Sequence, residues 1–313
     1  MSEGRVRLTI LGGFLGSGKT TWLRHQLHIG AYGRVHVIVN EAAEAAVDDA
    51  LLARADQMTL LAGACACCAG QDALIDALSG ICDARSRDAD PATRLEHVVL
   101  ETSGLADPAA ILSLIQGHPI LARQIVVAEI VVIVDAVNAR DQVPQESLSR
   151  KQIEAADRLV LTKTDVAQAD DIARLRATLA RIAPGASQFG ALFGSDVTLP
   201  DYDMKAAPYS LADQSEVPIH ASRLELRPDA DWTAFTVWLS ALLYARGDQI
   251  VRVKGVVQTP AGRLLVQAVR KSVQSPEILP ESETDTPTDN SIAVIGRGFT
   301  QEQLRASLAQ FSA

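Results

Sequence analysis

Through the first half of the chain, short runs of β-branched and aliphatic residues alternate with longer stretches whose apolar positions recur at helical spacing. The runs 5–11, 34–39, 57–61, 95–101, 125–135 and 158–162 predict strands. The stretches 18–29, 70–85, 107–116, 147–156 and 168–181 predict helices, several with Asp, Ser or Thr placed near their starts as caps. Strand and helix in alternation is the pattern of a mainly parallel sheet with helices on both faces. The run 125–135 is longer than one buried strand needs, so part of it reads as an extension or an edge.

From about 184 to 217 the texture changes to Pro, Gly, Ser and Asp with scattered aromatics, which reads as a linker or a wrapped connection. Beyond it, strands at 218–226, 249–258, 262–269 and 291–296 accompany helices at 230–245 and 300–311, and 275–290 reads as a loop. The expected organisation is an α/β domain over 1–190, a linker over 191–217 and a small α+β domain over 218–313.

The first strand runs into Gly-Gly-Phe-Leu-Gly-Ser-Gly-Lys-Thr-Thr at 12–21, which matches G-x-x-x-x-G-K-[ST] from Gly13 to Thr20 and opens a helix. Glycines let successive N–H groups turn towards an anion, and the helix N-terminus adds partial positive charge. The loop therefore reads as the phosphate cradle of a P-loop NTPase. Gly13, Gly16, Ser17, Gly18, Lys19, Thr20 and Thr21 are its candidate nucleotide contacts, with Lys19 at the β- and γ-phosphates and Thr20 on Mg²⁺. Glu101 stands where the apolar run 95–100 stops and is the candidate second carboxylate for Mg²⁺; Gly104 can offer an N–H to the γ-phosphate. Lys19, Thr20 and Glu101 form the expected catalytic set.

After the apolar run at 159–161 comes Thr162-Lys163-Thr164-Asp165. The Asp165 carboxylate can accept from both N1–H and the exocyclic amine of guanine, and adenine offers no matching donor pair; GTP is favoured over ATP on that ground. Leu105 follows Gly104 where small GTPases carry a water-orienting glutamine, so hydrolysis is expected to be slow. Asp107, before Pro108, is a weak candidate for that role and equally a helix cap.

Three of the four cysteines crowd into Cys65-Ala66-Cys67-Cys68. Thiolates so placed make a soft site for Zn²⁺ or a similar ion that needs further ligands from elsewhere; buried small hydrophobes or a redox pair are the alternatives. Cys82, alone on a helix, reads as core.

The net charge of −9 argues against a nucleic-acid binder or an anionic-membrane binder, and no apolar run approaches the roughly 18 residues of a membrane span. The expected location is the cytoplasm.

The loop at 13–21, the Cys-x-Cys-Cys at 65–68, Glu-Thr-Ser-Gly-Leu-Ala-Asp-Pro at 101–108 and Thr-Lys-Thr-Asp at 162–165 stand in the order and spacing of CobW-type metal-trafficking GTPases. Arg252-Val253-Lys254-Gly255 and Ile295-Gly296-Arg297 also resemble landmarks of that family's C-terminal domain. The resemblance implies a GTPase that uses GTP and Mg²⁺, binds Zn²⁺ or Co²⁺ and delivers it to a client metalloenzyme. Its C-terminal part would face the client or form a homodimer. Glu41 and Glu44 match family acidic positions that help to bind metal, joining Cys65, Cys67 and Cys68 as candidate ligands.

The chain departs from the family's Asn-Glu-Phe-Gly-Glu: it reads Asn40-Glu41-Ala42-Ala43-Glu44, and 41–55 has high helix propensity without a breaker, which marks it as a candidate nucleotide switch. Thr162 stands where asparagine is commoner, and the histidine-rich tract of many relatives is missing. Two rival readings stay open here, a nucleotide-binding scaffold with structural cysteines and a small-molecule kinase.

Overall fold

The computed structural model describes residues 4–41, 57–62, 70–88, 90, 93–200, 207–211, 219–227, 231–279 and 290–311. The chain divides into two compact units, Arg5–Gln214 and Ser215–Ala313.

The first unit is built on an eight-stranded sheet of order β3-β2-β4-β1-β5-β6-β7-β8. In chain order its strands are β1 (Val6–Gly13), β2 (Val35–Glu41), β3 (Gln57–Ala62), β4 (His97–Glu101), β5 (Ile125–Asp135), β6 (Arg158–Thr162), β7 (Ser187–Leu192) and β8 (Ser195–Val197). All neighbours pair in parallel except β7 and β8, which form a hairpin. The connecting helices are α1 (Lys19–His28), α2 (Gln71–Arg87), α3 (Pro108–Gly117), α4 (Leu121–Gln124), α5 (Ala139–Gln145), α6 (Ser147–Ala155) and α7 (Ala169–Ile182).

Alternate residues of β1 explain why its run is apolar throughout. Leu11 joins Trp22, Leu23 and Leu27 of α1 in one core, while Leu8 and Ile10, pointing the other way, are equally sealed from solvent. The sheet therefore carries helices on both faces, as the alternation of elements predicts.

Two expectations need correction. The long run at 125–135 is a single strand at the centre of the sheet, not an edge: eight of its first nine residues, all but Ala128, pair with β1 and its last five with β6. Eleven residues are needed because the two neighbours are staggered, and a register irregularity between Leu8 and Thr9 absorbs one residue. The stretch 184–217, read as irregular, contains β7 and β8. Phe189 of β7 is exposed and stacks under the Arg158 guanidinium at 5.1 Å, so the strand lacks the apolar alternation that would have revealed it.

The second unit is a five-stranded antiparallel path of order β12-β11-β10-β14-β9, with β13 on β11. It comprises β9 (His220–Glu225), α8 (Trp232–Arg246), β10 (Ile250–Thr259), β11 (Gly262–Val269), β12 (Ser272–Val273), β13 (Glu277–Ile278), β14 (Ser291–Gly296) and α9 (Gln301–Phe311). Trp238 and Phe235 of α8 anchor its core against Val253, Val266, Ile292 and Val294. Gly255 is required by that sheet: a Cβ there would lie 2.2 Å from the Ser291 carbonyl oxygen and 2.5 Å from the Ile292 Cα. The expected loop at 275–290 falls largely outside the described residues, apart from β13 and its flanks.

Candidate nucleotide site

The carboxyl ends of β1, β4 and β6 carry the predicted nucleotide residues, the end of β5 lies between those of β1 and β6, and the strand registers bring the stations together. Leu11 lies across from Glu101, Gly13 from Ile133, and Asp135 from Thr162.

At the end of β1 the chain turns through Gly13, Gly16 and Gly18 with φ of 136°, 70° and 94°. Only glycine takes such angles freely, and a Cβ on Gly13 would also meet the Ile133 carbonyl at 2.5 Å and Ser17 Oγ at 2.9 Å. Gly18 starts α1 with no side-chain cap, leaving the helix N-terminus open to an anion. Lys19 is buried, and its ammonium donates to the carbonyls of Gly13 at 2.9 Å and Phe14 at 3.2 Å. Ser17 Oγ is buried and has no partner among the described residues. An orphaned hydroxyl inside a glycine-lined turn fits a phosphate ligand. Thr21 lies exposed in the first turn of α1.

Thr20 donates to Glu101 at 2.6 Å, and the Glu101 side chain is sealed by the sheet. One hydroxyl and one carboxylate in contact beside the phosphate loop are the hard oxygen ligands that Mg²⁺ prefers, so this donor set fits the ion. Beyond Glu101, the Thr102 N–H and Oγ1 both donate to the Leu11 carbonyl, and Gly104 packs onto the phosphate loop. A Cβ on Gly104 would sit 2.7 Å from the Leu15 nitrogen. Asp107 accepts from the Ala109 N–H at 2.9 Å with Pro108 in the first helical turn, which makes it the N-cap of α3.

The other half of the site is built from side chains. Lys163 takes a left-handed φ of 57°, unusual for a non-glycine residue, and its ammonium donates to the Gly16 carbonyl at 3.0 Å and pairs with Asp135 at 2.6 Å. Burial alone pushes the Asp135 carboxyl upward. The Lys163 ammonium, the Asn138 amide and the N–H groups of Asn138 and Val137 outweigh it, so the group is held below the usual aspartate range. Thr162 donates to the Ser17 carbonyl at 2.7 Å. Its hydroxyl thus ties the base-side turn to the phosphate loop, which gives a threonine a structural use at this position. Asp165 stands exposed two residues beyond Lys163.

Cys65, Cys67, Cys68 and Glu44, and most of the candidate switch at 41–55, lie outside the described residues. Glu41 ends β2 and pairs in register with Ala62, the last residue of β3 before the cysteine segment. Among the described residues no group of three or more His, Cys, Asp or Glu side chains gathers as a metal site. Cys82 is buried in α2, and burial raises its thiol to about 11.

Asp135 escaped the sequence reading although it ends an apolar run just as Glu101 does. Gln152 of α6 escaped as well; its only signal was a polar residue among buried positions of a helix.

A model of the CobW/HypB/UreG nucleotide-binding domain matches residues 7–189, and one described as the cobalamin synthesis protein cobW C-terminal domain matches 219–312. The zinc chaperone YjiA of Escherichia coli is 31% identical over 319 residues, covering 97% of this chain and 98% of its own. The zinc chaperone CobW of Pseudomonas aeruginosa is 28% identical, covering 97% and 92%. Among solved structures, Zn(II)-bound YjiA GTPase from E. coli aligns over 99% of this chain and 100% of its own, at 25% identity and a TM-score of 0.62.

Proposed function

The chain belongs to the CobW/HypB/UreG nucleotide-binding family, and from that premise we propose that it is a GTPase that takes up zinc, or cobalt in its place, and passes it to a client metalloprotein. The full-length similarity to two zinc chaperones and to a zinc-bound GTPase supports the reading.

The observation that carries it is the order of strand ends along one sheet edge. Successive neighbours β3, β2, β4 and β1 end at Ala62, Glu41, Glu101 and the phosphate loop, with Glu41 opposite Ala62 and Glu101 opposite Val39. The strand that leads into the three cysteines is therefore two strands from the one that carries Glu101. A loop displaced by the γ-phosphate has only this short span to cross before it alters the thiols, and by reciprocity the metal alters nucleotide affinity by the same factor.

In this reading Lys19 leaves the Gly13 and Phe14 carbonyls for the β- and γ-phosphates, while the Gly16, Ser17 and Gly18 turn wraps the anion. Gly104 offers its N–H to the γ-phosphate. Asp165 accepts from guanine, with Lys163 and Thr162 fixing its turn against the phosphate loop. Thr20 and Glu101 would hold Mg²⁺, which neutralises charge developing on the phosphate oxygens. Cys65, Cys67 and Cys68, aided by Glu41 and Glu44, would hold the transferred metal, and 41–55 would report the nucleotide state. We place the protein in the cytoplasm; among the described residues no helix is long and apolar enough to cross a membrane. The second unit would meet the client or a second copy of the chain.

The test is a titration of Co²⁺ and Zn²⁺ into reduced full-length protein, with GDP and with a non-hydrolysable GTP analogue, reading the Co²⁺–thiolate absorption band. A tight band that Cys67→Ala removes, and whose affinity the nucleotide shifts, is the expected result. Affinity indifferent to nucleotide, or no thiolate band, overturns the metal-coupled reading.

A further inference from the structure

We propose that Gln152 is the positioning residue that sets how the loop after β4 receives the terminal phosphate of the nucleotide. The proposal rests on the GTPase reading above and goes on to assign the loop's control.

Gln152 is 1% exposed, on the face of α6 turned to the sheet. Its Nε2 donates to the Gly104 carbonyl at 3.1 Å and to the Ala106 carbonyl at 2.8 Å. Both hydrogens of the amide are used, and the opposite orientation would aim its oxygen at two carbonyl oxygens, so the network assigns the amide as drawn. The loop is held at two further points. Thr102 is tied to the Leu11 carbonyl at its start, and Gly104 rests on the backbone of Leu15 in its middle. Ala106 N–H closes the turn on the Ser103 carbonyl at 3.0 Å.

Three anchors leave the loop little freedom, and they differ in kind. Leu11 belongs to β1 and Leu15 to the phosphate loop that follows it, so both anchors lie on the phosphate side of the site. Gln152 belongs to α6, which runs directly into β6 and the Thr162–Asp165 turn. It holds the carbonyl of Gly104, the residue whose N–H the GTPase reading gives to the γ-phosphate, and so fixes the Gly104 backbone from the side of α6. A ligand that ends at the β-phosphate does not reach this loop; one that carries a γ-phosphate bonds to it and gains from its being already in place. Loss of the amide leaves two buried carbonyls unsatisfied and lets the loop drift, so the cost falls on the triphosphate.

The experiment compares full-length wild type with Gln152→Met, which keeps the volume and removes both donors, and Gln152→Asn, whose amide is one methylene short. Fluorescent GDP and a GTP analogue are titrated into each. Expected is a GDP affinity within about twofold of wild type and a GTP-analogue affinity lowered about tenfold in Gln152→Met, with Gln152→Asn between. Hydrogen exchange of nucleotide-free protein should quicken at 103–106 in both variants. An equal loss for both nucleotides, or an unchanged ratio, overturns the proposal, because a purely structural glutamine would lower both affinities together. If wild type binds neither nucleotide the functional reading falls, and unchanged exchange at 103–106 overturns the clamp on its own.

Discussion

The phosphate side and the base side of the site solve the same problem, holding charge at a strand end, by different means. On the phosphate side the work is done by backbone: three left-handed glycines, an open helix N-terminus and a lysine resting on main-chain carbonyls. On the base side it is done by side chains reaching between strands, the Lys163–Asp135 ion pair and the Thr162 hydroxyl on Ser17. A backbone device is confined to consecutive residues, while a side-chain device joins residues 28 and 145 positions apart. The first is rigid and local; the second makes the two loops one unit.

If this division is right, substitutions should separate the two sides. The largest effect belongs to Lys19→Ala, which removes the phosphate loop's own cation; single-turnover hydrolysis should fall by about 10³-fold. Next, Asp165→Asn should exchange guanine for xanthine, since the amide can donate to the 2-oxo group where the carboxylate accepted from the 2-amino group. Competition binding should show a swing of about a hundredfold in the GTP to XTP preference. An Asp165→Asn protein that still prefers GTP would remove the base assignment and leave the phosphate side intact.

Asp135→Asn should weaken GTP and GDP alike, by about tenfold, because it unpins Lys163 without touching the phosphates. It also carries a pH signature. The folded Asp135 carboxyl is depressed below its ordinary value, so its stabilisation is present above the unfolded pKa and is lost as pH falls through the lower folded one. Acid titration of wild type and Asp135→Asn, followed by circular dichroism, should show the extra loss below about pH 4 only in wild type.

The smallest effect on nucleotide binding is expected at the opposite end of the strands. His97 opens β4, bonded to Thr9 at 2.9 Å and packed on Tyr32 with ring centres 4.8 Å apart; burial, then the Arg7 charge, lowers its pKa to about 4. It stays neutral in the fold while the unfolded chain takes a proton near pH 6.5. Stability should decline from about pH 6.5 to pH 4, by at most about 3 kcal/mol, and His97→Gln should flatten that slope with nucleotide affinity unchanged.

The same contrast decides what could be read from the amino acids alone. Gly13, Lys19 and Thr20 are legible because a backbone cradle must be written in consecutive residues, and Glu101 because a carboxylate ends a buried run one neighbour away. The alternation of runs also announced the parallel sheet. Gln152 was not legible as a site residue: its partners are 46 and 48 residues back, and a polar residue among buried positions of a helix says nothing of which segment's carbonyls it holds. β7 was missed for a related reason, since Phe189 is satisfied by Arg158 of the neighbouring strand and not by an apolar core.

The resting place of Lys19 on the Gly13 and Phe14 carbonyls has a thermodynamic corollary. The loop holds its own positive charge in place on main-chain acceptors, so an incoming nucleotide takes over an ammonium group already positioned instead of folding a slack segment around itself. Binding at the phosphate end is then an exchange of partners for one ammonium group, and calorimetry should find a heat-capacity change near that of the buried base alone.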